Sequence, residues 1–265
     1  MTILTTTRLI HLSTTSPHLS QSWYFIAAAT LTVCNQPQEL PLLYHYAMQT
    51  QGLSKPRNEA TADKAIQVCT KFADAVSRGE QVPENEYSQE YQAKLRVVGT
   101  KMREAILKTA ALSGLPKCIN SLMTLKETTP KSLRDLKENR KRITNWDEYL
   151  LEKQRGIKFW EKVYGKISNR VIKQMSTAYP DLWSYTIENV YSPLLSFTGC
   201  MSAEESSLVV ISCLIPQDVN PQLKGHLKGA LNNGCTLEEV RDARQLAMEI
   251  SSWCGITWKS EVAKL

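Results

Sequence analysis

The sequence predicts an all-helical protein, and three observations lead there. Glycine is sparse, at 11 of 265 residues. Strand-like alternation of apolar and polar side chains is rare. Apolar residues instead recur at helical spacing, in segments punctuated by proline, glycine and capping residues where helices start and stop. The chain is 42% hydrophobic, within the globular range. Its length is enough to bury a core without disulfide staples.

Residues 23–34 are apolar and end at Asn35-Gln36-Pro37, where proline removes a backbone donor and restricts its predecessor. Residues 38–51 carry Leu40, Leu43, Tyr46 and Ala47 at helical spacing and stop near Gly52. A third helix runs over 58–78, opened by Asn58 with Glu59 in its first turn. Glu90 to Ser113 is long and amphipathic, and Leu115-Pro116 opens the next helix with proline near its first turn. Thr128-Thr129-Pro130 marks a boundary, and the charged stretch Lys131 to Asn145 reads as an exposed helix or linker. Further helices follow at Trp146–Tyr164, Ile167–Ala178, Asp181–Tyr191, Ala203–Leu214, Pro221–Leu231 and Leu237–Trp253. Asn233-Gly234 closes the penultimate helix through a left-handed glycine. Thr236 caps the last one, with Glu239 completing a capping box.

The formal charge is +6, with basic residues interleaved with acids between Lys126 and Lys173. That pattern is a solvated helical surface rather than a one-signed nucleic-acid stripe. The seven cysteines are odd in number and none forms a C-x-x-C, which suits a reducing compartment and suggests no zinc site. No apolar run reaches membrane-spanning length, so no membrane insertion is expected. Nothing in the sequence calls for a cofactor or a metal.

Two segments carry the chemistry. Glu204-Glu205 opens an apolar helix, and Leu223 to Glu239 contains Leu223, His226, Ala230-Leu231, Asn233-Gly234, Thr236 and Glu239. This spacing resembles the carboxymuconolactone decarboxylase family, with Arg155-Gly156 and Val163-Tyr164-Gly165 upstream and Trp253-Cys254-Gly255 downstream similar to its flanking segments. The resemblance covers residues 152–258 and implies an alkyl hydroperoxidase D-like helical bundle, here of two diverged helical units. The whole chain also resembles fungal peroxisomal matrix proteins of that superfamily. It implies a pocket in which His226 acts as general acid/base on a small oxidised acid or acyl compound, Glu205 orients it and Glu249 adds a second carboxylate. Departures point away from the decarboxylase itself. Glu204 stands where many members have arginine, and Glu249 where many have a second histidine. The thiol-peroxidase branch needs a C-x-x-C that is absent here. The alternative is a non-catalytic member that binds a ligand or a partner on the same fold. His45, among Tyr44 and Tyr46, is a second pocket residue or an interface histidine.

The expected organisation is an N-terminal segment 1–22, an N-terminal helical unit 23–127, a charged connector 128–151, the family-like unit 152–258 and a tail 259–265. The tail ends in Ala263-Lys264-Leu265, close to the Ser-Lys-Leu peroxisomal address read by an import receptor. Residues 1–38 contain no Asp or Glu and are rich in Ser and Thr, part of a mitochondrial transit signature. The peroxisomal matrix is therefore the expected location, with the mitochondrion or cytoplasm as alternatives. The resemblance implies self-assembly as a homodimer or trimer; an unknown small molecule completes the expected partners.

Overall fold

The computed structural model describes residues 2–265, which are helical and, among the described residues, contain no strand. The elements are α1 (Thr6–Thr14), α2 (Trp23–Val33), α3 (Leu40–Ala47), α4 (Glu59–Ser77), α5 (Gln92–Ser113) and α6 (Leu115–Glu127), then α7 (Trp146–Tyr164), α8 (Ser168–Ala178), α9 (Pro180–Tyr185), α10 (Ala203–Leu214), α11 (Asn220–Asn233) and α12 (Leu237–Trp253). The helix stops read from the sequence follow local chemistry. Asn58 caps α4 by accepting the Thr61 N–H, and Gly234 ends α11 at φ +116°. The Thr236–Glu239 capping box is present at the start of α12.

Two helices end by widening into π-helical turns, over Met48–Gly52 after α3, which stops where expected, and Thr186–Leu195 after α9, which runs past the expected end at Tyr191. The second extension contains Pro193, which cannot donate a backbone hydrogen bond. The wider register closes through Ser196 N–H to Tyr191 O at 2.9 Å. Residues 6–14, inside the N-terminal segment 1–22, form α1.

Every residue of α2 is buried, which explains its lack of a polar face. α5, α10 and α12 pack around it, so residues from Leu4 to Val262 join in one principal hydrophobic core. Full burial of each large apolar side chain there, such as Phe25, Ile26 and Ile211, stabilises the fold by roughly 1.5–3 kcal/mol. Polar contacts tie the chain's beginning to its end. His11 Nε2 lies 2.7 Å from Glu249 Oε2, and His18 Nδ1 lies 3.0 Å from Asp242 Oδ2.

Of the expected connector 128–151, residues 146–151 already belong to α7, and the stretch 128–145 is not helical beyond one tight turn at Lys131–Leu133. It lies along α5 as a strap. Leu133 is buried, Arg96 Nε donates to Ser132 O, and Thr100 and Arg103 both bond Asp135.

His45 on α3 is fully buried and shares a 2.6 Å hydrogen bond between Nδ1 and the Tyr87 hydroxyl. Burial pushes its pKa down to about 3, against a smaller opposing pull from Glu86. The imidazole is therefore neutral in the folded chain while the unfolded one titrates near 6.5. Above pH 6.5 both states are uncharged and the folded state bears no penalty. As pH falls below 6.5 the unfolded state takes up the proton first, and stability is lost on the order of 4 kcal/mol by pH 3. Urea titrations of a His45→Asn variant, which keeps a polar partner for Tyr87, are expected to lose about 1.4 kcal/mol per pH unit of that slope between pH 6.5 and 4.5. An unchanged slope would remove His45 from the acid response.

Candidate functional site

The structure places the three sequence-predicted residues in three different surroundings. His226, on α11, is partly buried with its ring edge-on to Tyr164 and Nε2 3.4 Å from the Tyr164 hydroxyl. That hydroxyl lies 3.4 Å from Tyr191 OH, and Trp160 packs against both tyrosines. Burial pushes the His226 pKa down to about 4, so the ring is a neutral imidazole at neutral pH.

Glu205 closes a capping box at the start of α10. Its Oε2 accepts the Ser202 N–H at 2.9 Å, and Ser202 Oγ accepts the Glu205 N–H at 3.2 Å. Its other oxygen is ion-paired with Lys101 of α5. Glu249 accepts from Gln245 Nε2 at 2.8 Å besides its contact with His11. No hydrogen bond or ion pair joins any two of His226, Glu205 and Glu249.

The reason is the register of the α10–α11 hairpin. Asn233 Nδ2 donates to Ser207 Oγ at 2.8 Å, which sets the first turn of α10 level with the last turn of α11. His226 lies two turns earlier on α11, about 10 Å along its axis. Glu205 is drawn back to its own N-cap, and His226 faces α7 instead.

The structure assembles a denser polar cluster elsewhere. α5 carries Glu104 and Lys108 one turn apart on the same face. Lys108 is wholly buried, and its Nζ donates to the carbonyl oxygens of Leu194, Leu195 and Phe197 at 2.7, 3.3 and 3.1 Å. A cation there satisfies the unpaired carbonyls at the end of the α9 extension and complements the helix dipole. Glu104 Oε1 is 3.5 Å away. Arg140, from the strap, grips the Glu104 carboxylate with two nitrogens at 2.6 and 3.1 Å, donates to Pro193 O, and stacks 4.3 Å over the Phe197 ring. Burial lowers the Lys108 pKa to about 8, although the Glu104 carboxylate opposes that shift.

Arg140 separates two clefts. One, of about 390 Å³, is bordered by Arg103, Glu104, Leu107, Leu122, Asp135 and Lys137. The other, also about 390 Å³, is bordered by Arg142, Leu151, Arg155 and Phe197. Mixed charge with an apolar wall suits a small polar acid, held by guanidinium groups through its oxygens. Among the described residues, no group of three or more His, Cys, Asp or Glu side chains is arranged to hold a metal ion.

Sequence reading missed this cluster because each part looks like surface. A Glu–Lys pair one turn apart is the usual sign of a solvated helix face, and Arg140 lies in the most charged stretch of the chain.

The tail is held against the body. Arg244 donates to the carbonyl oxygens of Ala263 and Val262 at 2.7 and 2.6 Å, and Asn220 Oδ1 accepts the Ala263 N–H at 2.7 Å. Val262 is buried, while the Leu265 side chain is half exposed.

The chain is 44% identical over 287 residues to peroxisomal protein 2 of Saccharomyces cerevisiae, an alignment covering 99% of each. It is 42% identical over 165 residues to peroxisomal protein 2 of Schizosaccharomyces pombe, covering 62% of this chain and 75% of the relative. No family model matches the chain, and no solved structure does.

Proposed function

The chain belongs to the peroxisomal protein 2 family, and we propose that it is a peroxisomal matrix protein that binds a small oxidised acid or acyl compound beside Arg140. The observation that carries the ligand reading is the buried Glu104–Lys108–Arg140 network at the head of two clefts. A strap arginine held by a carboxylate, a carbonyl and an aromatic ring is pre-organised, so little ordering entropy is lost when it meets an anion. Isothermal titration against a panel of small oxo-acids and acyl acids tests this. Arg140→Ala is expected to weaken any binding about tenfold or more, the loss of a charge-assisted pair. Equal affinity in the variant would remove the cleft from the function.

A second reading keeps acid/base chemistry at His226, within the carboxymuconolactone decarboxylase-like hairpin. Its support is the neutral imidazole in contact with the Tyr164 hydroxyl, which is linked in turn to that of Tyr191, a chain along which a proton can pass. The separation of Glu205 and Glu249 from His226 counts against a three-residue site and favours binding over catalysis. In the same panel, turnover abolished by His226→Ala would restore the enzyme reading.

The peroxisomal assignment draws on the names of both relatives and on Ala263-Lys264-Leu265. In this reading an import receptor engages the tripeptide. Deleting residues 263–265 is expected to move a tagged chain from peroxisomes to the cytosol; unchanged punctate signal would exclude the tripeptide as the address. No helix among the described residues is long and apolar enough to cross a membrane. Self-association, the other partner expected from the sequence, has its best support in the exposed apolar side chains Trp146, Leu150 and Leu151 of α7 and Leu182 and Tyr185 of α9. Sedimentation of the chain as a monomer would dismiss it.

A further inference from the structure

The final residues of the chain have no helix of their own, yet the body grips them at nearly every position. Trp258 Nε1 donates to Ile215 O at 2.7 Å, and Asp218 Oδ2 accepts the Lys259 N–H at 3.1 Å. Asn220, the first residue of α11, donates through Nδ2 to Ser260 Oγ and Glu261 O at 3.0 and 3.1 Å. The Oδ1 of the same side chain accepts the Ala263 N–H at 2.7 Å. Arg244, within α12, donates to the carbonyl oxygens of Val262 and Ala263 at 2.6 and 2.7 Å. Between these anchors the Val262 side chain is buried.

The last few residues of a domain are usually loose unless something ties them down. Here the ties are specific, because a guanidinium with two carbonyls makes charge-assisted bonds and one asparagine bonds three successive parts of the tail. The grip ends inside the terminal tripeptide. Ala263 is half-buried and has both its N–H and its C=O bonded to the body. Beyond it, Lys264 Nζ reaches back to Glu261 Oε1 at 2.7 Å within the tail, and Leu265 is half exposed.

A receptor that reads a C-terminal tripeptide has to surround it, taking main chain, side chains and end carboxylate together. Ala263 cannot give its backbone to Asn220 and Arg244 and to a receptor at once. We propose that the folded body withholds the Ala263-Lys264-Leu265 address, with Arg244 and Asn220 as the latch, so that an import receptor engages the chain only when the tail has lifted away. This rests on the tripeptide being the address, and adds that its presentation is controlled by folding. The receptor's affinity for the folded chain is reduced by the fraction of molecules whose tail is open. A chain in which α11 and α12 have not yet packed has no latch, and the receptor captures it more readily than the finished fold. Arg244 therefore acts as a brake on recognition, although it touches only backbone.

The test measures binding of the purified import receptor to four ligands. They are the folded full chain, the Arg244→Ala chain, a full chain with a short flexible Gly/Ser linker inserted between Val262 and Ala263, and a synthetic peptide of residues 256–265. The folded chain is expected to bind about tenfold or more weakly than the peptide. Arg244→Ala and the linker chain are expected to recover most of that difference. The linker leaves Arg244, Asn220 and the whole body unaltered, so its result does not depend on how Arg244→Ala folds. Equal affinity of the wild-type chain and the peptide overturns the proposal. So does a linker chain that binds as weakly as the wild type. A peptide without affinity removes the address itself, and the latch with it, which separates failure of the targeting reading from failure of the latch alone.

Discussion

Replacing Lys108 by methionine is expected to destabilise the fold by about 3–5 kcal/mol, the usual result of removing one member of a buried, hydrogen-bonded charge pair. The side chain keeps its length and apolar stem, so little packing is lost. What disappears is the ammonium that satisfies three carbonyls at the end of the α9 extension and faces Glu104. Those carbonyls then remain buried without a donor, each at a desolvation cost of about 1–3 kcal/mol if nothing moves. The extension will therefore fray, and Ser192, Pro193 and Phe197 with it. Lys101→Met is the matched control. Its ion pair with Glu205 is partly exposed and is expected to contribute about 1 kcal/mol or less. Urea unfolding of both variants checks the contrast. If Lys108→Met unfolds at the wild-type midpoint, the lysine is not what holds that helix end.

The second large effect is expected at Gly156, on α7. A Cβ built there would meet Ser192 Cα at 2.6 Å and Ser192 Cβ at 2.8 Å. One of those atoms is backbone in the π-helical stretch, so no side-chain rotation relieves the clash. Gly156→Ala is expected to cost about 3 kcal/mol, the upper range for overpacking. Its effect should be visible as a loss of packing between α7 and the α9 extension. Gly225→Ala provides the opposite sign, since its nearest neighbour is Tyr164 Cε1 at 3.8 Å and its backbone is helical. Alanine there should stabilise by about 0.5–1 kcal/mol through helix propensity. Equal stability of both alanine variants would mean that α7 is free to move away from Ser192.

Both expectations concern positions whose importance comes from the opposite segment of chain. Gly156 was legible as part of the Arg155-Gly156 pattern, but its reason, the close approach of Ser192, was not. Glu205 shows the reverse. Its first-turn place on a helix was legible from Ser202 and the apolar run behind it, and that local role is the one its carboxylate performs. The acid/base partnership expected with His226 depended on which turns of two helices lie level, a quantity set by tertiary packing.

The line between what could be read beforehand and what could not follows interaction range. Most helix positions from α2 onward, the Asn58 and Thr236 caps and the left-handed Gly234 depend on residues within a few positions of each other, so the amino-acid order was sufficient for them; α1 and the π-helical extension after α9 were not read from it. The apolar character of residues 23–34 follows from composition alone. Lys108 with Leu194, Arg140 with Glu104, and Glu249 with His11 are joined across long stretches of chain. No spacing rule links such partners, because each pair exists only once α2 is enclosed by α5, α10 and α12. Burial then decides the chemistry: the same residue types would be ordinary surface charges if that core did not bring them together.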